Sequence, residues 1–213
     1  MSMVRHLPTV PSTNTWLKEH AAEFGHGDIV VTDDQTAGRG QRGNFWEAEP
    51  GKNLTFSMKL VPAGIAPARQ FVISECVALG VAEVVRDRLA GYVSPGEVKV
   101  KWPNDIYVGE NKIAGILIEH TLNTGTIVHT VAGIGLNVNQ TIFTSSAPNP
   151  VSMAQLSGNT SFPLEDIMEE IADAVMRRLD DASRSDRGVY HLHEEFHSMR
   201  WPNDGNAYRF LLA

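Results

Sequence analysis

The sequence predicts an α+β fold, a mixed, largely antiparallel sheet covered by helices. Three observations predict it. Short β-branched runs fill residues 98 to 137 and are separated by turn residues such as Gly109-Glu110-Asn111 and Asn123-Thr124-Gly125, which suits hairpins. The order of elements is one helix, then strands with a helix, then a run of strands, then helices. Eighteen glycines and eleven prolines, spread along the chain, imply many turns and exclude a helix bundle.

Element by element, Ser12-Thr13-Asn14-Thr15 offers capping side chains before Trp16 to Ala22, so a first helix starts there and Gly25-His26-Gly27 stops it. Ile29-Val30-Val31 reads as a strand. Residues 34 to 53 form a long glycine-rich polar loop, a length that inside a compact domain marks function. Leu54 to Leu60 alternates as a strand. Ala68 to Leu89 has helical periodicity, with Phe71, Val72, Cys76, Leu79, Val84 and Val85 inward. Strands follow at 98–101, 106–108, 112–119 and 127–137, then helices at 165–179 and 189–199.

Composition bounds the function. The 213 residues are 42% hydrophobic and 20% charged, enough for one ordinary domain with a short appendage and too apolar for a disordered chain. No run approaches the roughly 20 apolar residues that cross a bilayer, and Met1 to Asn14 lacks a signal-type apolar stretch. The single cysteine forbids an intrachain disulfide, so a cytoplasmic location is expected. A net charge of −7 excludes binding across a broad nucleic-acid surface.

Several motifs require weighing. Gly38-Arg39-Gly40-Gln41-Arg42-Gly43 satisfies the dinucleotide-binding pattern and follows a strand, but Asn44 to Gly51 contains Pro50 and cannot open a buried helix. What survives is a loop whose glycines let the backbone approach a ligand and whose Arg39 and Arg42 offer forked donors to carboxylate or phosphate. His193-Glu194-Glu195-Phe196-His197 matches the zinc-protease helix pattern, yet only Asp204 follows as a third ligand, so the match reads as a polar terminal helix. Cys76 sits among Phe71, Val72, Ile73 and Leu79 and reads as core packing. Trp-Pro-Asn-Asp occurs at 102–105 and again at 201–204, where it reads as a coincidental turn. Finally, Lys101-Trp102-Pro103-Asn104-Asp105 ends a strand, and Lys112 opens another whose Ala114 and Gly115 leave room for a ligand against the backbone.

Together, GRGQRG, KWPND, KIAGILIE and Gly133 to Asn139, preceded in order by Ser12-Thr13-Asn14 and Gln35, resemble the catalytic domain of biotin protein ligases over residues 3 to 200. The resemblance implies a fold related to class II aminoacyl-tRNA synthetases. It implies activation of biotin by ATP as biotinyl-5′-AMP, with Mg2+ on the triphosphate, and transfer to a lysine of a biotin carboxyl carrier protein. Arg39, Lys112 and Asp105 would be catalytic. Ser12, Thr13, Asn14, Gln35, Gly38, Arg39, Gly40, Gln41, Lys112 and Gly115 would surround biotin. Arg39, Arg42, Trp46, Lys101, Asn104, Lys112 and Asn137 would face the adenylate. No protein cage for a metal is expected.

Two departures from that family stand out. Gln41 occupies a position where well-known relatives carry arginine. The chain also lacks a preceding helix-turn-helix domain, so no DNA binding is expected, and residues 201–213 form a short remnant where an SH3-like barrel usually follows residue 200. The uncovered sheet edge would suit a homodimer or aggregation. Rival readings are a lipoate or octanoate ligase or transferase of the same fold, a non-catalytic biotin- or adenylate-binding module, and a zinc hydrolase.

Overall fold

The structure is a computed structural model that describes residues 2–40, 45–144 and 149–201. Gln41 and Arg42 of the glycine-rich loop lie outside the described residues, as do residues 202–213. Eight strands form one sheet: β1 (Val4–Val10), β2 (Ile29–Gln35), β3 (Leu54–Leu60), β4 (Val98–Lys101), β5 (Asp105–Val108), β6 (Asn111–Asn123), β7 (Thr126–Leu136) and β8 (Arg200–Trp201). Their order is β1-β2-β3-β7-β6-β5-β4-β8. The two outermost pairs, β1–β2 and β4–β8, are parallel and the others antiparallel.

Helix α1 (Thr13–Glu19) packs on one face of the sheet against β2, β3 and β7. Helices α2 (Phe71–Arg88), α4 (Leu164–Arg184) and α5 (Asp186–Met199) pack on the other face, and α3 (Met153–Leu156) is a single turn. The alternation of β3 shows why two layers form. Leu54, Phe56, Met58 and Leu60 join the main core under α2 and α4, while Thr55 and Ser57, also buried, point toward α1. A smaller apolar cluster of Leu17, Phe24, Val30 and Val131 holds the α1 side. Helix α2 is buried around most of its circumference, and a Cβ at Gly80 would lie 2.7 Å from Val175 Cγ2, so glycine there permits close approach to α4.

The structure corrects several expectations. Residues 4–10 form a strand that periodicity does not reveal, because Pro8 interrupts the pattern. The strand tolerates Pro8 because it lies at the sheet edge, where the missing donor also hinders pairing with a second copy. The first helix ends at Glu19, followed by a 3-10 turn at Ala21–Glu23. The second Trp-Pro-Asn-Asp is not simply a turn. Trp201 is in β8, paired with Lys101, and the rest of that copy lies outside the described residues. No helix among the described residues is long and apolar enough to cross a membrane.

Candidate active site

A cavity of about 280 Å³ opens on the α1 side of the sheet, at the ends of β3, β7, β6 and β5. Its floor is made by absence of side chains. Gly115 of β6 pairs directly with Gly135 of β7, and the Trp46 indole rests on both. A Cβ on Gly135 would overlap the ring, and one on Gly115 would sit 3.0 Å from Trp46 Cζ3. Gly133 gives the same clearance to the Asn14 carboxamide. The buried Trp46 Nε1 has no hydrogen-bond partner among the described residues, an N–H that a ligand acceptor would satisfy.

One wall is the start of α1. Ser12 Oγ accepts from the Thr15 N–H at 3.4 Å and caps the helix, and the Thr13 N–H donates to Gln35 Oε1 at 2.9 Å. Asn14 Nδ2 donates to the Leu117 carbonyl (3.1 Å) and to Glu119 Oε2 (2.9 Å), while its Oδ1 meets Ser57 Oγ at 2.6 Å. Asn14 therefore ties α1 to the sheet with both polar atoms engaged.

The opposite wall is the Trp102-Pro103-Asn104-Asp105 turn with Lys112. The Trp102–Pro103 peptide is cis. Asn104 Nδ2 donates to the Ile116 carbonyl at 2.9 Å, fixing the turn on β6. Lys112 Nζ is 2.8 Å from Asp105 Oδ1, with both side chains largely shielded, and 5.8 Å from the Trp46 ring centroid. The Lys112 N–H donates to the Asn149 carbonyl (2.8 Å) and the Val151 N–H donates to the Lys112 carbonyl (2.9 Å), so its backbone is held on both sides.

Arg39, Gly40 and Phe45 form the lip. Arg39 Nη2 donates to Thr15 Oγ1 (3.0 Å) and Glu119 Oε2 (3.2 Å). Burial pushes the Glu119 carboxyl up, but the bonds from Lys18 and Asn14 and the charge of Arg39 outweigh it and leave it below the usual carboxylate range.

Three residues expected at the site do not line the cavity. Gly38 lies behind the lip, where a Cβ would come within 2.6 Å of the Trp46 carbonyl. Asn137 is buried, its N–H donating to the Ile113 carbonyl (2.9 Å), its Nδ2 to the Val151 carbonyl (3.1 Å) and its Oδ1 without a partner among the described residues. Lys101 sits one strand beyond, its Nζ beside the stacked Tyr107 and Trp201 rings. Conversely, Thr55, Phe45, Leu117, Gly133 and Gly135 line the cavity, and Trp102 forms part of its rim. The polar alternation in β3 was the available signal for Thr55; exposed Phe45 offered none. The zinc-type helix pattern dissolves: His193 Nδ1 pairs with buried Glu75 Oε2 at 2.6 Å, and Glu195 pairs with Arg178 at 2.8 Å.

The arrangement offers two cations, a shielded carboxylate, an unsatisfied N–H and an apolar floor, suited to a ligand with an apolar body and an anionic group. The profile of the biotin/lipoate A/B protein ligase family matches residues 7–137. The bifunctional ligase/repressor BirA of Escherichia coli is 38% identical over 132 residues, 62% of this chain and 39% of that protein. The chain thus spans well under half the length of that relative. A biotin--[acetyl-CoA-carboxylase] ligase of Paracoccus denitrificans is 33% identical over 181 residues, covering 80% of this chain and 70% of the relative. In fold, the chain matches the biotin protein ligase of Aquifex aeolicus in complex with biotin and ATP, with a TM-score of 0.78, 23% identity and coverage of 94% and 79% of the two chains. The Leishmania major enzyme in complex with biotinyl-5-AMP gives a TM-score of 0.73 at 22% identity, covering 99% and 86%. On the profile match and the Paracoccus relative, the chain belongs to the biotin/lipoate A/B protein ligase family.

Proposed function

We propose that residues 1–200 are a biotin–protein ligase unit that joins biotin to ATP and passes the biotinyl group to a lysine of a biotin carboxyl carrier protein. The observation that carries this is the Asp105–Lys112 pair set beside the unsatisfied Trp46 N–H on a glycine floor. The names of the relatives support the choice of biotin.

In the first step a biotin carboxylate oxygen attacks the α-phosphorus of ATP, and the bond to the β-phosphate breaks as pyrophosphate leaves. Two anions must approach, so fixed positive charge is the requirement. Lys112, held in place by Asp105, supplies it from inside the cavity. Arg39 supplies it from the lip by exchanging Glu119 for the ligand anion. Mg2+ would accompany the triphosphate. Among the described residues no group of three or more His, Cys, Asp or Glu side chains is placed to hold a metal.

In the second step the carrier amine attacks the acyl carbon and AMP leaves with the bonding electron pair. The ammonium must first shed a proton, and Asp105 is the carboxylate in the cavity that would accept it. The apolar floor would keep water from the mixed anhydride.

Biotin-dependent exchange of labelled pyrophosphate into ATP tests the reading, with carrier domain added afterwards. Exchange followed by labelling of the carrier is expected. Exchange only with lipoate or octanoate moves the chain to the other branch of the family, and binding of biotin without exchange makes it a binding module.

A further inference from the structure

The second Trp-Pro-Asn-Asp segment finds a use through its first residue. Trp201 pairs with Lys101 across β8–β4, Lys101 with Asp105 across β4–β5, Asp105 with Gly115, and Gly115 with Gly135. Residues directly opposite in a sheet share a face, so this row runs from the cavity floor outward by three strands. At its end the Lys101 ammonium lies 4.8 Å from the Tyr107 centroid and 4.9 Å from that of Trp201. The two rings stack at 5.5 Å and 22°, and the Tyr107 hydroxyl is 3.3 Å from Lys101 Nζ.

Among the described residues no carboxylate pairs with Lys101, because its neighbour Asp105 is taken by Lys112. The Tyr107 hydroxyl accepts from the ammonium and the Trp201 ring flanks it without neutralising it, so the charge stays available to an anion on the cavity face. Trp201 reaches this place because α5 is pinned to α2 by His193–Glu75 and to α4 by Arg178–Glu195.

We propose that Trp201 is a positioning residue which, with Tyr107, holds Lys101 where the departing pyrophosphate of the nucleotide gathers charge. The proposal rests on the ligase reading and adds to it a residue from the far end of the chain. Negative charge builds on the β-phosphate oxygen as its bond to the α-phosphorus breaks. A cation fixed there acts on that charge, not on biotin.

The test uses the full chain and steady-state pyrophosphate exchange with biotin, ATP and pyrophosphate varied in turn. Trp201→Ala is expected to raise KM for ATP and pyrophosphate about three- to tenfold while leaving that for biotin, and Trp201→Phe to restore most of the loss. In a Lys101→Met background, Trp201→Ala should add less than about twofold, because the two act as one unit. Melting curves check that each variant is folded. An equal change in all three KM values, additive effects with Lys101→Met, or no change overturns the positioning role and leaves the ligase reading standing. Absence of exchange in the unmodified protein overturns both.

Discussion

Gly135 illustrates how a site is made by a missing side chain. The Trp46 ring occupies the space a Cβ would need, so Gly135→Ala must displace the indole into the cavity. The expected result is a loss of biotin affinity of about tenfold or more by calorimetry, with a smaller loss of stability because β7 itself accepts alanine. Unchanged affinity would show that Trp46 is not part of the binding surface. Lys112→Met tests the charge argument. Removing the cation that faces the carboxylate–phosphate encounter should slow exchange by about 100-fold or more, a size typical of lost electrostatic stabilisation. Asp105→Asn separates two roles, since an amide can still accept from Lys112 but takes no proton. Transfer from preformed adenylate should fall more than exchange does, and normal transfer would sink the proton-acceptor assignment.

At the scale of elements, α5 carries a sequence pattern that reads as catalytic and a structure that makes it an anchor. Glu75 on α2 is buried, and burial raises its carboxyl above the usual carboxylate range, with the His193 hydrogen bond and charge opposing. A carboxyl raised in the folded state contributes stability that is present below its unfolded value and lost as pH rises through its folded one. The two strongest interactions that favour the ionised Glu75 carboxyl both come from His193. His193→Ala should cost about 1–3 kcal/mol at pH 7, toward the lower end because the imidazole is half-exposed. The cost should shrink as pH falls through the raised Glu75 value into the usual carboxylate range. Urea midpoints measured at both ends of that window decide it; an equal loss at both would mean that His193 only packs.

For the molecule as a whole, the two faces of the sheet divide the labour. The helix layer supplies the core, and the α1 side supplies the cavity, so core chemistry should be silent. Cys76 is the sole cysteine and fully buried, and burial, with the Glu75 charge, pushes its thiol up to about 12. Ellman's reagent should find no thiol in the folded protein and one after unfolding in denaturant. Rapid labelling of the native chain would contradict the packing.

Much of this was legible in the amino-acid order. Local periodicity determined where α2, α4, α5 and β3 to β7 lie, because helix and strand patterns depend on neighbours a few residues apart. The ordered motifs from Ser12 to Asn139 determined the family resemblance for the same reason: each is short and contiguous. The tertiary structure decided what depends on register. It made Pro8 an edge residue and set Gly115 opposite Gly135. It gave Asp105 to Lys112, set Lys101 beside Trp201, and spent His193 on Glu75. Each of these joins residues distant in sequence, and a shift of one position in a strand would send the side chain to the opposite face, so only the assembled sheet fixes them.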